Sequence, residues 1–132
     1  MVTSATFSAW LDRYKQAWES KNAQAAGALF TTDAVYHEQP FEAPMQGRAA
    51  VEAYWTRVTA GQSDIVFTSE VIATTGETGL AHWHAAFKAV PGGAAIELDG
   101  MFVCTFADAT TVSALKEWWH IKVTPPPGAA PG

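Results

Sequence analysis

Apolar side chains return every three or four positions at Phe7, Trp10, Leu11, Tyr14, Ala17 and Trp18, which places them on one stripe of a helix over about 6–21. Ser20-Lys21-Asn22 breaks that stripe, and 23–30 predicts a second, shorter helix closed by the turn-favouring Thr31-Thr32-Asp33. A short strand is expected over 34–39, ended by Pro40, and the segment 41–47 with its second proline, Pro44, does not continue it. Helical spacing resumes after Gly47-Arg48, with Val51, Tyr54, Trp55 and Val58 on one face and Ala60-Gly61 as the stop.

From Ser63 the chain changes character. β-Branched and aromatic residues fill four runs, 65–74, 80–90, 95–106 and 111–123, separated by short turn sequences at 75–77, 91–93 and 107–109. Such spacing predicts an antiparallel meander. Residues 1–123 are expected to form one domain, and the Pro/Gly/Ala-rich segment 124–132 a flexible tail. Helices first, one short strand, a third helix and then four long strands give an α+β layout in place of alternating βαβ units. Three helices on one face of a long sheet leave room for a hollow.

Composition narrows what could fill it. The chain has 132 residues, 48% hydrophobic and only 16% charged, with a net charge of -5. Clustered Lys and Arg are absent, so a phosphate-tracking surface for nucleic acid is excluded as a function class. No stretch reaches the roughly 18–20 apolar residues of a membrane span, and the first residues lack a basic then apolar leader. The lone Cys104 sits in an apolar run as a buried thiol, and the expected location is the cytoplasm. Six tryptophans in so short a chain need a core, an interface or an aromatic ligand cavity.

Three segments carry a resemblance: Tyr36-His37-Glu38-Gln39-Pro40, then Gly47-Arg48 at the head of the third helix, and Leu115-Lys116-Glu117-Trp118-Trp119-His120. There the chain resembles SnoaL-like proteins of the nuclear transport factor 2 (NTF2)-like superfamily and, more distantly, limonene-epoxide hydrolases. The resemblance covers about residues 7–123. It implies a cone of three helices packed on a strongly curved, mixed, mainly antiparallel sheet. It implies less about activity, because the superfamily spans isomerases, cyclases, dehydratases, epoxide hydrolases and binding domains. In the epoxide hydrolases a Tyr and an Asn of the first strand hold the nucleophilic water. Tyr36 and Glu38 occupy the matching positions, so the Asn is replaced. The acid of the last strand is matched by Glu117, whereas the Arg-x-Asp pair has no clear counterpart, the nearest residues being His82-Trp83-His84.

Alternation along the last strand puts Ser113, Leu115, Glu117 and Trp119 on one face, with Ala114, Lys116, Trp118 and His120 on the other. The resemblance implies that the Glu117 face looks inward. A carboxylate among indoles loses hydration, which raises its pKa toward the range useful for a general acid or base at neutral pH. His82 and His84 share a face of the strand over 80–90, and His84 is the candidate partner for that acid. Alternation leaves open whether their face or that of Trp83, Ala85 and Phe87 lines the hollow. Tyr14 and Trp18, with Tyr36, Trp55, Leu98, Phe102 and Trp119, are candidates for an aromatic ligand wall, and His82 for a further contact. Asp99 is expected to point outward, and Gly100 to mark a bend. His37 and His120 point away by the same alternation. No metal site is expected, since three ligands do not converge.

The function these residues suggest is cofactor-independent acid/base chemistry on a small apolar or aromatic molecule, as isomerase, cyclase, lyase or epoxide-opening hydrolase. Glu117 leads, with His84, Glu38 and Tyr36 assisting. The alternative is a non-catalytic ligand-binding or dimerisation domain of the same fold; a docking module has only the fold in its favour. If Glu117 and Trp119 face in, Trp83, Phe87, Met101, Val103 and Trp118 would gather on the convex face and predict a homodimer through it.

Overall fold

The computed structural model describes residues 1–128. Helix α1 spans Ser4–Glu19, α2 Ala23–Gly27 and α3 Arg48–Thr59, while the strands are β1 Phe30–His37, β2 Met45–Gln46, β3 Gln62–Thr75, β4 Thr78–Ala89, β5 Ala95–Phe106 and β6 Val112–Thr124. The first helix begins where Thr3 and Thr6 exchange side-chain and backbone hydrogen bonds, which satisfies two otherwise free backbone donors. Asn22 caps α2 in the same way, accepting from the Ala25 backbone at 3.0 Å. The second helix is shorter than its composition suggests. Leu29 and Phe30 leave it because tertiary bonds claim their carbonyls: Leu29 O accepts from Trp10 Nε1 at 3.0 Å and from Val112 N at 2.9 Å, and Arg48 Nε donates to Phe30 O at 3.1 Å. Phe30, expected to close the helix, and residues 31–33, expected to turn, begin β1 instead. Gly47, at φ 89°, starts α3 in a conformation that glycine adopts without strain, and its N–H donates to Ala34 O.

The six strands form one curved sheet in the order β2-β1-β6-β5-β4-β3. All neighbours run antiparallel except β1 and β6, which pair in parallel with Tyr36 opposite Leu115. That single parallel pair brings residues from the two ends of the chain together. Register shifts in β3 and near the end of β5 bend the sheet around the helices. The fold is that expected from the sequence, three helices on a mixed, mainly antiparallel sheet, with the two-residue edge strand β2 added in the loop after Pro40. Strand β6 runs to Thr124; the expected tail begins there, and its last four residues lie outside the described residues. Among the described residues no helix is long and apolar enough to cross a membrane.

The core sits between α1 and the concave face. Phe7, Trp10, Tyr14 and Trp18 of α1 meet Phe67, Trp83, Phe102 and Leu115 of the sheet, all buried. Two residues assigned to the convex face belong here. Trp83 is 2% exposed and forms a cluster of mutually stacked rings with Phe67 and Phe102, and Phe87 packs at 6.5 Å from Trp18. On β4 the inward face is the apolar one, Ala81, Trp83, Ala85 and Phe87, which removes more nonpolar area from water than the His82-His84-Lys88 face would. The convex apolar patch is therefore smaller than expected: Met101 and Val103 are half-buried, and Trp118 is 48% exposed.

Candidate active site

The wide end of the cone holds a cavity of about 210 Å³, larger than the roughly 150 Å³ that accommodates benzene in an engineered protein core. Helix α1 contributes Tyr14 and Trp18, β1 and the residue after it Tyr36 and Glu38, and α3 Tyr54, Trp55 and Val58. From the sheet come Gln62, Trp83, Phe87, Leu98, Glu117, Trp119 and Ile121. Gly100 makes this packing possible. It lies opposite both Trp83 and Trp119, and a methyl group there would stand 2.8 Å from Trp83 Cζ2 and 2.9 Å from Trp119 Cβ. The closest approach is to the Trp118 backbone carbonyl oxygen, so the glycine gives room both to the neighbouring strand's backbone and to the Trp83 indole.

Glu117 is the buried acid of the wall, 6% exposed. The Tyr36 hydroxyl donates to its Oε2 at 3.2 Å. Having one proton to give, Tyr36 accepts in turn from the Tyr14 hydroxyl, also at 3.2 Å, so α1, β1 and β6 are joined by one chain of polar groups. Loss of hydration pushes the Glu117 carboxyl well above the usual carboxylate range; the charge of Glu38 pushes the same way, and the Tyr36 bond pulls it partly back. Glu38 stands at the mouth. Partial burial and the nearby Glu42 raise it too, while hydrogen bonds from Gln39 and Trp119 oppose that shift. Being closer to water, Glu38 ionises first, and its charge adds to the burial that holds the proton on Glu117. Tyr14, Tyr36 and Tyr54 are all raised by burial and then by Glu117, so their phenols stay protonated donors.

Of the residues proposed from sequence, Glu117, Tyr36, Glu38, Tyr14, Trp18, Trp55, Leu98 and Trp119 come together at this cavity. Phe102 does not reach it; it lies beneath Tyr14 and Trp83, each at 5.2 Å between ring centroids. His82 and His84 are corrections. Both are on the convex face, their side chains 38% and 39% exposed, because Trp83 takes the inward position between them. His82 bridges Glu70 and Asp99, with Nε2 at 2.9 Å from Asp99 Oδ1, and His84 lies 3.3 Å from Glu97. The sequence reading missed Tyr54, Gln62, Trp83 and Phe87. Gln62 accepts from Trp18 Nε1 at 2.8 Å and fixes that ring; the signal for the others was the apolar face of β4 and the helical stripe of α3. Asp99 points outward as expected.

Residues 11–114 match the sequence profile of the SnoaL-like domain. No curated protein sequence matches the chain. Among solved structures, it is similar to an epoxide hydrolase/cyclase-like enzyme, SalBIII, of pyran ring formation in polyether salinomycin (TM-score 0.76, 15% identity, 88% of this chain and 94% of that one). It is equally similar to a candidate isomerase from Bacillus subtilis (TM-score 0.76, 15% identity, 88% and 87%). A protein with a ketosteroid isomerase-like fold from Catenulispora acidiphila, solved in complex with trimethylamine, follows at TM-score 0.73 and 15% identity over 83% of each chain. At these identities the structural likeness establishes the fold, which is NTF2-like, and the profile match establishes the family: the chain belongs to the SnoaL-like domain family.

Proposed function

We propose that the chain is a cofactor-independent acid/base enzyme acting on a small, largely apolar molecule held in the aromatic cavity. The observation that carries this reading is Glu117: a carboxyl buried in the cavity wall and oriented by Tyr36 at 3.2 Å, with its pKa raised by burial and by the charge of Glu38. A neutral carboxylic acid at neutral pH can donate a proton to a bound substrate and take one back as its conjugate base. Tyr36 fixes the carboxyl while Tyr14 fixes Tyr36, so the acid is presented in one orientation. Glu38, at the mouth, exchanges protons with solvent. The indole and phenol walls exclude water, which strengthens each polar contact to the substrate.

Solved structures of this fold include a candidate isomerase, an epoxide hydrolase/cyclase-like enzyme and a protein in complex with trimethylamine, so the fold serves several chemistries. A non-catalytic binding domain would use the same cavity. What favours catalysis is that Tyr14, Tyr36 and Glu117 form one connected chain ending on the buried acid, whereas Gln62 is satisfied separately by Trp18. The experiment is turnover of a panel of epoxides, enones and polyketide mimics by wild type and Glu117→Gln. Conversion lost in the variant supports the assignment, and equal conversion removes it.

A further inference from the structure

The charge character of the cavity narrows its ligand. Its walls carry four indoles, Trp18, Trp55, Trp83 and Trp119, and the phenols of Tyr36 and Tyr54. Among the described residues the ionisable groups on the wall are Glu38, Glu117 and the tyrosines; no Lys, Arg or His lines it. Aromatic faces carry negative electrostatic potential and attract cations, most strongly where water is excluded. The outer side of one of these rings already does so: the Arg57 guanidinium lies over Tyr54 at 5.7 Å from its centroid. An apolar hollow meant for a neutral hydrocarbon gains nothing from two carboxyl groups, since each loses hydration that such a ligand does not replace.

We propose that the cavity takes a small organic cation, a tertiary or quaternary ammonium group on an otherwise apolar molecule, seated against the indole and phenol faces with the Glu117 and Glu38 carboxylates as its counter-charge. This rests on the reading of the cavity as the functional site and names the class of molecule it receives; with such a cation bound, Glu117 enters the acid/base chemistry as the conjugate base and not as the proton donor. The proton balance follows. Burial raises the Glu117 pKa, so the empty protein holds this proton to higher pH than an ordinary carboxyl does; a cation beside it favours the carboxylate, so binding expels that proton to solvent and leaves an ammonium–carboxylate pair. The groups facing Glu117 are the Tyr36 hydroxyl from β1, Tyr14 from α1, Tyr54 from α3, the Cys104 thiol from β5 and Glu38 at the mouth; of these only Glu38 is charged near neutral pH, with Arg57 outside beyond Tyr54. Affinity for the cation therefore rises with pH until Glu117 is ionised in the empty protein.

The test is calorimetric titration of the full chain with choline and with its neutral carbon isostere, dimethylbutanol, in buffers of different ionisation enthalpy. Choline is expected to bind at least about tenfold more tightly, the equivalent of roughly 1.4 kcal/mol. It should release a proton on binding, and its advantage should fall in Glu117→Gln. Because proton release is read on the wild type, the result stands even if that variant folds poorly. Equal or tighter binding of the isostere overturns the cation while leaving an apolar cavity intact, and binding of neither probe overturns the cation outright. The acid/base assignment is judged separately by turnover of the substrate panel.

Discussion

Tyr36 and Glu117 meet at 3.2 Å although 81 residues separate them, because β1 runs parallel to β6 in a sheet that is otherwise antiparallel. The buried acid therefore depends on the longest-range pairing in the fold. Its protonation, its orientation and the stability of the cone are coupled through that contact.

Glu117→Gln separates the charge of this group from its shape. Burial raises the folded-state pKa above the unfolded value near 4.5, so the folded protein holds the proton more tightly. The stability this contributes is complete below the unfolded value and is lost as pH rises through the folded one. Glutamine does not titrate. The variant should match wild type in acid and gain on it toward neutral and alkaline pH, by up to about 1.4 kcal/mol per pH unit. Urea unfolding across pH checks this; a wild-type advantage that grows with pH contradicts it.

Tyr36→Phe removes the donor to Glu117 and the acceptor of Tyr14 together. Two buried polar groups lose their partner, and the expected cost is about 1–3 kcal/mol in unfolding free energy. The bond that holds the acid down is also gone, so the Glu117 pKa should rise further, and the alkaline limb of a pH–rate profile, where the proton donor is lost, should move upward with it.

Gly100→Ala tests how the cavity is built. The new methyl group meets Trp83 and Trp119 inside contact distance, so we expect a loss of roughly 1–3 kcal/mol through overpacking, read as a lower urea midpoint at unchanged slope. Tryptophan fluorescence should shift as well, because both rings line the cavity.

His82 on the convex face is raised by its hydrogen bond to Asp99, with Glu70 adding to it. Its contribution to stability is present below the unfolded value near 6.5 and disappears as pH rises through the raised value. Since the pair is well exposed, His82→Ala should lower stability only within the roughly 0.2–1 kcal/mol of surface ion pairs, and only on the acid side. A thermal melt at acidic and alkaline pH distinguishes the two.

The long elements were legible because their periods are unambiguous: the α1 stripe, the α3 stripe and the four strand runs stand within a few residues of where spacing puts them. Glu117 was legible by alternation once the resemblance supplied the inward face. The end of α2 was not, since Leu29 and Phe30 are helix-compatible and only Trp10, Arg48 and Val112, distant in sequence, pull their carbonyls away. On β4 the two histidines drew attention to the wrong face. Trp83 wins the interior because stacking it with Phe67 and Phe102 removes a large apolar surface from water, while half-exposed imidazoles keep their hydration and find carboxylates outside. Gly100 carried the complementary signal, but it is decisive only when its two cross-strand tryptophans are known.

The most direct measurement is a carbon-13 NMR titration of the Glu117 carboxyl in the ligand-free protein, assigned by its disappearance in Glu117→Gln. A resonance of the protonated acid at neutral pH, moving to the carboxylate position only under alkaline conditions, is the result expected of a carboxyl sealed among indoles and phenols. A carboxylate resonance already complete at mildly acidic pH would mean that water reaches the side chain freely, and would contradict both the neutral-acid mechanism and the proton release on cation binding.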